Sequence, residues 1–447
     1  MPSNKKSAKV TSLRLLRKAS HISGKVAHKG GHFMQKVENR TTRLITEATG
    51  SPLAEPSIPV DACFYDAFPQ LTPVYPVLPE LGQKPSVTVF AFLDPKGFYG
   101  GIATLLCVAA TLANKLGYDF RVAQTTGFSK DTNVLDFLAS NGIIIEAKRF
   151  STVDLSKRSL HNFGYLPLHP EDIVVVSAWW DAHIASQLPL KKKFLYLIQD
   201  FEPIFYNNSD SYILADQTYR TDDFLPICNT RILRTYFEKN GYDYIAKNAT
   251  YFEPAPAPKI VSSAGKKKPG KAKRRLFLYG RPHVHRNLFY SAIKALDIAL
   301  ADERVDASEW ELFCAGSATV PSIKLHSGNI IKNLGKMDLD QYYEWAADVD
   351  IAVAPMQAPH PNYPTLELAA LGAMVVTTKW ETKQDLNTYS PNILMADLTI
   401  ESMAAKIVQA ITTDEQTKAA GLSITNIGSD WPTALDKPLT ELAENYR

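Results

Sequence analysis

The sequence predicts an α/β protein of two domains, each a parallel sheet with helices on both faces. Three observations predict it. Short apolar runs alternate with helical stretches from Ser86 onward, the alternation stops once at a Pro- and Lys-rich stretch after Tyr251, and it restarts at Arg275. Strands buried on both faces read as continuous apolar runs, and alternation with helices makes the sheet parallel. With 447 residues, 45% hydrophobic and 21% charged, the chain can bury two or three cores.

The first strand is Ser86–Leu93, followed by a turn with Gly97, Gly100 and Gly101 and a helix-like stretch Ile102–Lys115. Further strands are expected at Phe120–Gln124, Ile143–Ala147, Ile173–Ala178 and Phe194–Gln199. In the second half they fall at Arg275–Gly280, Trp310–Gly316, Asn329–Leu334, Val349–Pro355 and Ala373–Thr378. Two such halves imply facing Rossmann-like domains with a cleft, and ligands of open parallel sheets lie beyond the C-terminal ends of the strands. The expected division is a basic tail (1–50), a Pro-rich strap (51–85), an N-terminal Rossmann-like domain (86–252), a basic linker (253–275), a C-terminal Rossmann-like domain (276–428) and a C-terminal helix (429–447).

Composition excludes several classes. Net charge is +3, too small for a global nucleic-acid field, but residues 1–43 hold eleven Lys or Arg against the single acid Glu38. That tail reads equally as a basic amphipathic helix on an anionic membrane surface or as a solvated tail. Eight prolines in residues 52–85 argue against regular structure there. Cys63, Cys107, Cys228 and Cys314 show no CxxC pairing and read as reduced packing thiols of a cytoplasmic protein. The longest apolar run, Ile102–Ala113, is too short to span a bilayer, and no secretory h-region is present.

Four segments carry candidate chemistry. Gly100 and Gly101 open a helix, where backbone amides and the helix dipole favour an anion, although glycine at such a junction also serves sterics alone. In YGRPHVHRN, Arg281 and Arg286 follow a buried strand, and two guanidiniums beside a helix start suit a diphosphate. In HPNYPTLELAALGA, Pro364 suits the start of a helix and Glu367 is expected in its first turn, able to accept from sugar hydroxyls or to serve as a helix-start residue only. Finally Trp179, Trp180, Asp181, Asp200, Phe201, Glu202, Phe205, Tyr206 and Tyr212 gather past the ends of two strands. Aromatic faces with carboxylates suit carbohydrate, and the same residues also make an aromatic core under a loop.

Other patterns carry nothing. Gly265 to Lys271 has P-loop spacing but follows no strand and lacks the hydroxyl after the lysine. Asp348-Val-Asp350 and Asp338-Leu-Asp340 resemble metal-binding DxD pairs, but the first straddles a helix end and a strand start, so that its carboxylates do not converge, and the second begins a helix; no metal is expected. His283 and His285 read as solvent or phosphate contacts.

Taken in order, IQDFEPIFY (198–206), ICNTRILRTYF (227–237), FLYGRPHVHRNLF (277–289), LGKMDLDQYYEWAADVDIAVAPM (334–356) and HPNYPTLELAALGA (360–373) resemble GT-B glycosyltransferases of the retaining family 4 type. Within these they are most similar to WsaF-type bacterial rhamnosyltransferases. The resemblance covers about residues 86–430. It implies two facing Rossmann-like domains, an inter-domain cleft and a C-terminal helix crossing back to the first domain. It implies that Arg281 and Arg286 hold a diphosphate, with Gly100 and Gly101 opposite, Asn287, Tyr363, Pro364 and Thr365 around the donor, Glu367 on the nucleotide's sugar and Lys336 near the base. Where the general family has a first Glu, eight residues before Glu367, this chain has Pro359 with His360 beside it. That form points to a 6-deoxy sugar, hence dTDP-β-L-rhamnose as co-substrate, with no other cofactor.

The implied reaction is metal-independent and retaining. Asp200 and Glu202 are candidates for orienting the acceptor or steadying the sugar cation, and Trp179, Trp180, Asp181, Phe201 and Tyr206 for binding it. The acceptor is expected to be a lipid-linked saccharide or polysaccharide at the inner face of the membrane. The rival readings are a UDP- or GDP-hexose donor, a catalytically silent saccharide-binding subunit, and a nucleic-acid-binding protein working through its basic tail.

Overall fold

In both halves of the chain a strand run with two apolar faces recurs, and each half forms a seven-stranded sheet around it. The structure is a computed structural model. It describes residues 59–94, 97–98, 100–130, 133–159, 164–255, 260, 273–413, 427–428 and 430–447. The basic tail, the start of the strap, the segment from Gly265 to Lys271 and most of the basic linker lie outside them. Residues Met1–Ala67 and Phe68–Arg447 are separate units. The described part of the first holds the helix Val60–Ala67.

The second unit opens with strand β1 (Val74–Val77), which pairs in parallel with β5 (Gly164–Pro167). Here the expectation of an irregular strap fails, as it does at the Val60–Ala67 helix. Pro76 lies in a two-stranded edge, where an absent N–H is tolerated. The first large sheet contains β2 (Ser86–Ala91), β3 (Asp119–Gln124), β4 (Phe150–Asp154), β6 (Ile173–Val176), β7 (Phe194–Ile198), β8 (Phe224–Asn229) and β9 (Thr250–Phe252). Their order is β4-β3-β2-β6-β7-β8-β9, all parallel. Every residue of β2 is buried, because Val87, Val89 and Ala91 enter one core while Phe90 enters the core on the opposite face.

One expected strand is absent. Ile143 and Ile145 are buried and Ile144 is exposed, yet this segment has no ladder. The place beside β3 is taken by Phe150–Asp154 instead. Apolar alternation marked a chain lying on the core, and only pairing makes a strand.

The second large sheet holds β10 (Arg274–Tyr279), β11 (Trp310–Ala315), β12 (Ile323–Lys324), β13 (Ile330–Asn333), β14 (Ile351–Val353), β15 (Met374–Thr378) and β16 (Ile393–Ala396). The order is β12-β13-β11-β10-β14-β15-β16, parallel except for β12 against β13. Leu276 and Leu278 face one core and Phe277 the other. The helix Trp431–Tyr446 then returns to the first sheet's core, burying Trp431, Leu435, Leu439, Leu442 and Tyr446 there. It lies against the helix Gly100–Leu116, with Lys115 Nζ 2.7 Å from Asp436. That inner helix is apolar nearly all round because sheet and returning helix cover it.

Candidate functional site

The C-terminal ends of both sheets meet at a seam, where the chain makes unusual turns. Among the described residues, four other than glycine have left-handed φ: Thr230 (91°), Leu288 (51°), Asn362 (74°) and Glu381 (45°). Each lies in a connection leaving β8, β10, β14 or β15. Such backbone persists only where surroundings hold it, and it gathers at functional sites.

Arg286 stands in the short turn His285–Asn287 after β10. Its Nε is 3.5 Å from Asp200 Oδ2, and its guanidinium lies 3.8 Å from the centre of the Phe205 ring. Asp200 follows β7, so this ion pair joins the two domains. Burial pulls the Arg286 guanidinium below its ordinary value, and Asp200 opposes that shift. Burial likewise raises Asp200, against the pull of Arg286 and Lys383. Asp200 also accepts from the Phe201 N–H at 2.9 Å. Beside it, Gln199 Nε2 donates to the carbonyl of Gly101 at 2.8 Å and to Ser177 Oγ at 2.8 Å. The glycine turn and the Arg286 guanidinium are thereby tied to one strand end.

A second tie runs through Tyr363. Asn229 Nδ2 donates to Tyr363 OH at 2.8 Å, and the hydroxyl lies 3.0 Å from Thr104 Oγ1. Thr104 donates to the carbonyl of Gly100 at 3.2 Å, which leaves its oxygen free to accept from Tyr363. The helix Tyr363–Ala370 therefore starts against the first turn of the glycine helix. Because that helix begins at Tyr363, Glu367 lies beyond its first turn, contrary to expectation. The macrodipole falls off within the first turn, so Glu367 gains little from it. Burial pushes its carboxyl up to about 7, and Tyr343 OH donates to it at 3.2 Å.

Lys383 has no signal in the sequence. The turn after β15 carries it inward, held by reciprocal backbone bonds between Trp380 and Lys383. In the same turn the Trp380 ring lies 5.5 Å from that of Tyr236, and Thr382 Oγ1 donates to the carbonyl of Ile232. Lys383 is fully buried and donates to the carbonyl of Met356 at 2.8 Å. Burial pulls its ammonium down to about 7, with Asp200 opposing. Gln199, Asn229 and Thr104 were also invisible to pattern reading, since each acts through a contact distant in sequence.

The remaining expected residues divide. Arg281 is half-buried, 3.4 Å from Tyr279 OH, and Lys336 reaches within 3.8 Å of Asp94 across the seam. Asn287 and Thr365 are buried, and Thr365 turns its hydroxyl toward the carbonyl of Ala354 at 3.4 Å, which leaves Pro364 half-exposed beside them. On the acceptor side three residues are not available to a ligand. Trp179 is fully buried and donates from Nε1 to Tyr206 OH at 2.8 Å. Phe201 packs among Tyr219, Tyr236, Phe237 and Tyr242, and Asp181 accepts from Thr125 Oγ1 at 2.8 Å inside the first domain. Apolar burial outweighs exposure for these rings, so their role is corrected to core. Trp180 and Tyr206 remain half-buried. Glu202 accepts from the Trp179 N–H at 2.6 Å, and burial pushes its carboxyl up to about 8.

Asp338, Asp348 and Asp350 of the two DxD pairs have structural partners. Asp350 accepts from the backbone N–H of Arg275 at 2.8 Å, Asp348 lies 3.4 Å from the Arg275 guanidinium, and Asp338 caps a helix by accepting from the Gln341 N–H. His283 and His285 are exposed. Among the described residues no His, Cys, Asp and Glu group could hold a metal ion, and no helix is long and apolar enough to cross a membrane.

Comparisons with known proteins bear on this geometry. Residues 88–231 match the family described as WsaF, N-terminal domain, and residues 274–408 match WsaF, C-terminal domain, together well over half of the chain. The chain is similar to the O-antigen biosynthesis protein RfbC of Myxococcus xanthus, 29% identical over 245 residues. That match takes in 54% of this chain and only 18% of the relative. Among solved structures, an alpha,alpha-trehalose 6-phosphate synthase from Burkholderia multivorans superposes with a TM-score of 0.54 at 12% identity, covering 81% of this chain and 100% of that one. Sucrose-phosphate synthase from Thermosynechococcus elongatus gives 0.52 at 12%, covering 80% and 94%. At such identities the likeness speaks to fold alone.

Proposed function

Because the chain belongs to the WsaF family and has the GT-B fold, we propose that it is a glycosyltransferase of surface-polysaccharide assembly, moving a sugar from a nucleoside diphosphate to a saccharide acceptor. The observation that carries this reading is the guanidinium of Arg286 at the seam, paired with Asp200 one residue from the Gln199 bond to the glycine turn. In the reaction the anomeric C–O bond to the diphosphate breaks and a bond to the acceptor oxygen forms, while the acceptor hydroxyl's proton passes to the leaving diphosphate. Negative charge develops on the leaving diphosphate. Arg281, Arg286 and the amides at the start of the Gly100 helix meet that charge as preorganised donors, without need of a metal. Glu367 is suited to the nucleotide's sugar, and Lys336 to the base beside it.

The finer reading has L-rhamnose moved from dTDP-β-L-rhamnose with retention. The HPNYP form at residues 360–364 supports it. Asp200 and Glu202 orient the acceptor or steady the developing sugar cation, and Trp180 and Tyr206 are the aromatic residues left to stack on a saccharide. The acceptor is lipid-linked, met by the basic tail at the membrane's inner face. Closure of the seam around Tyr363 excludes water from the donor.

Thermal stability against dTDP, UDP, GDP, ADP and dTDP-rhamnose, with and without EDTA, tests the proposal. The expected result is an EDTA-insensitive rise in Tm with dTDP species, lost in Arg281→Ala and Glu367→Ala. A rise with UDP or GDP species alone overturns the sugar. No rise with any nucleotide overturns the transferase reading.

A further inference from the structure

Among the described residues, the seam contains a buried hydrogen-bond donor with no acceptor. His360 lies in the connection leaving β14, two residues before the left-handed Asn362, and is 4% exposed. Its Nδ1 accepts from the N–H of Asn362 at 3.0 Å. A ring nitrogen that accepts a backbone N–H carries no proton of its own, so in the neutral ring the proton is on Nε2. Among the described residues nothing accepts from Nε2, although the atom is buried. Such a donor is costly to leave unmade and marks a place to look for a ligand.

The surroundings keep this donor neutral. Burial, then the charges of Lys383 and Arg286, push the imidazole down to about 3, so it is uncharged throughout the working pH range. Its ring lies 5.4 Å from that of Tyr363, whose hydroxyl reaches the first turn of the glycine helix. The cationic partners suited to phosphate are already present in Arg281 and Arg286. A neutral N–H adds nothing to charge neutralisation. It suits an uncharged oxygen, which a sugar ring supplies in several positions.

We propose that His360 is a specificity-determining residue of the donor site, its Nε2–H donating to a hydroxyl or ring oxygen of the transferred sugar. This rests on the donor-site reading above and adds to it the group that separates nucleotide sugar from bare nucleoside diphosphate. Opening of the seam at Tyr363 admits the sugar, and closure buries the new bond.

Two substitutions separate the two nitrogens. In His360→Asn the amide oxygen takes the place of Nδ1 and keeps the bond to the Asn362 N–H, while the outer donor disappears. In His360→Gln an amide N–H replaces Nε2. Binding of dTDP and of dTDP-rhamnose, or of whichever nucleoside diphosphate and nucleotide-sugar pair stabilises the wild type, is measured by calorimetry on the full chain. The expected result for His360→Asn is unchanged nucleoside diphosphate affinity with about tenfold weaker nucleotide-sugar affinity, partly restored in His360→Gln. Equal losses for both ligands overturn the proposal in favour of a phosphate contact. No change for either makes His360 a core residue only. If the Asn variant does not fold, the Gln variant decides, and loss of its preference for the nucleotide sugar overturns the idea. A wild type that binds neither ligand removes the donor-site reading itself, a result distinct from all of these.

Discussion

The two sides of the seam treat similar raw material differently. On the first domain's side the connections leaving β6 and β7 carry Trp179, Phe201 and Tyr206, and on the second domain's side those leaving β10 and β14 carry Arg281, Arg286, His360 and Tyr363. The aromatic side has mostly turned inward: Trp179 is fully buried, and Phe201 packs in a cluster of rings. The polar side stays at the seam, since a guanidinium or an imidazole needs partners that an apolar core does not hold. Position at a strand's C-terminal end is therefore not enough to make a side chain a ligand contact. What it can pack against, or must pair with, decides.

The largest expected effect tests the aromatic side. Trp179→Ala should lower stability by about 3–5 kcal/mol in urea unfolding, the usual loss for a buried tryptophan. A variant of full stability that has lost only acceptor use would return Trp179 to the ligand and break the contrast.

Next comes a pH effect at the carboxylate bound to Trp179. The folded pKa of Glu202, about 8, lies above its ordinary 4.5, so the folded protein retains a proton that the unfolded chain releases. Stability from this group is complete below about 4.5 and is lost as pH rises through 8. Glu202→Gln should flatten the fall in Tm across that window by the equivalent of at least about 1.4 kcal/mol, the worth of one unit. Asp200 and Glu367 are shifted in the same direction, so some slope should persist. A Gln variant whose profile follows the wild type would show that Glu202 is solvated.

The smallest effect tests the tie between the sides. Tyr363→Phe removes the hydroxyl between Asn229 and Thr104 and should reduce unfolding free energy by about 1 kcal/mol. Nucleotide affinity should weaken by a similar factor if closure at the seam is coupled to binding. Loss of stability with unchanged affinity would make the contact structural only.

Much of the architecture was legible because it is written locally. Both halves announced their sheets through apolar runs such as SVTVFAFL and RLFLYG, and the break after Tyr251 fell between the two sheets. The errors over strands have one cause. Ile143–Ala147 alternates like a strand but has no partner, while Pro76 lies in a strand because an edge tolerates it. Pairing is a property of two segments, and one segment's pattern does not contain it. The same holds at the site. Arg281, Arg286 and Glu367 could be named from their neighbours in sequence, but Lys383 in the run KWETKQD gives no sign that it is buried, within the electrostatic reach of an aspartate from the other domain.

The sequence by itself determined where the chain is apolar, where it turns, and which strand ends carry cations and carboxylates. Those follow from side-chain chemistry and short-range periodicity. Only the tertiary structure decided that Trp179 is core, that Tyr363 joins Asn229 to the glycine helix, and that Asp200 meets Arg286 across the seam. Burial and pairing energies depend on what lies within a few ångströms, and at the seam those neighbours come from distant parts of the chain.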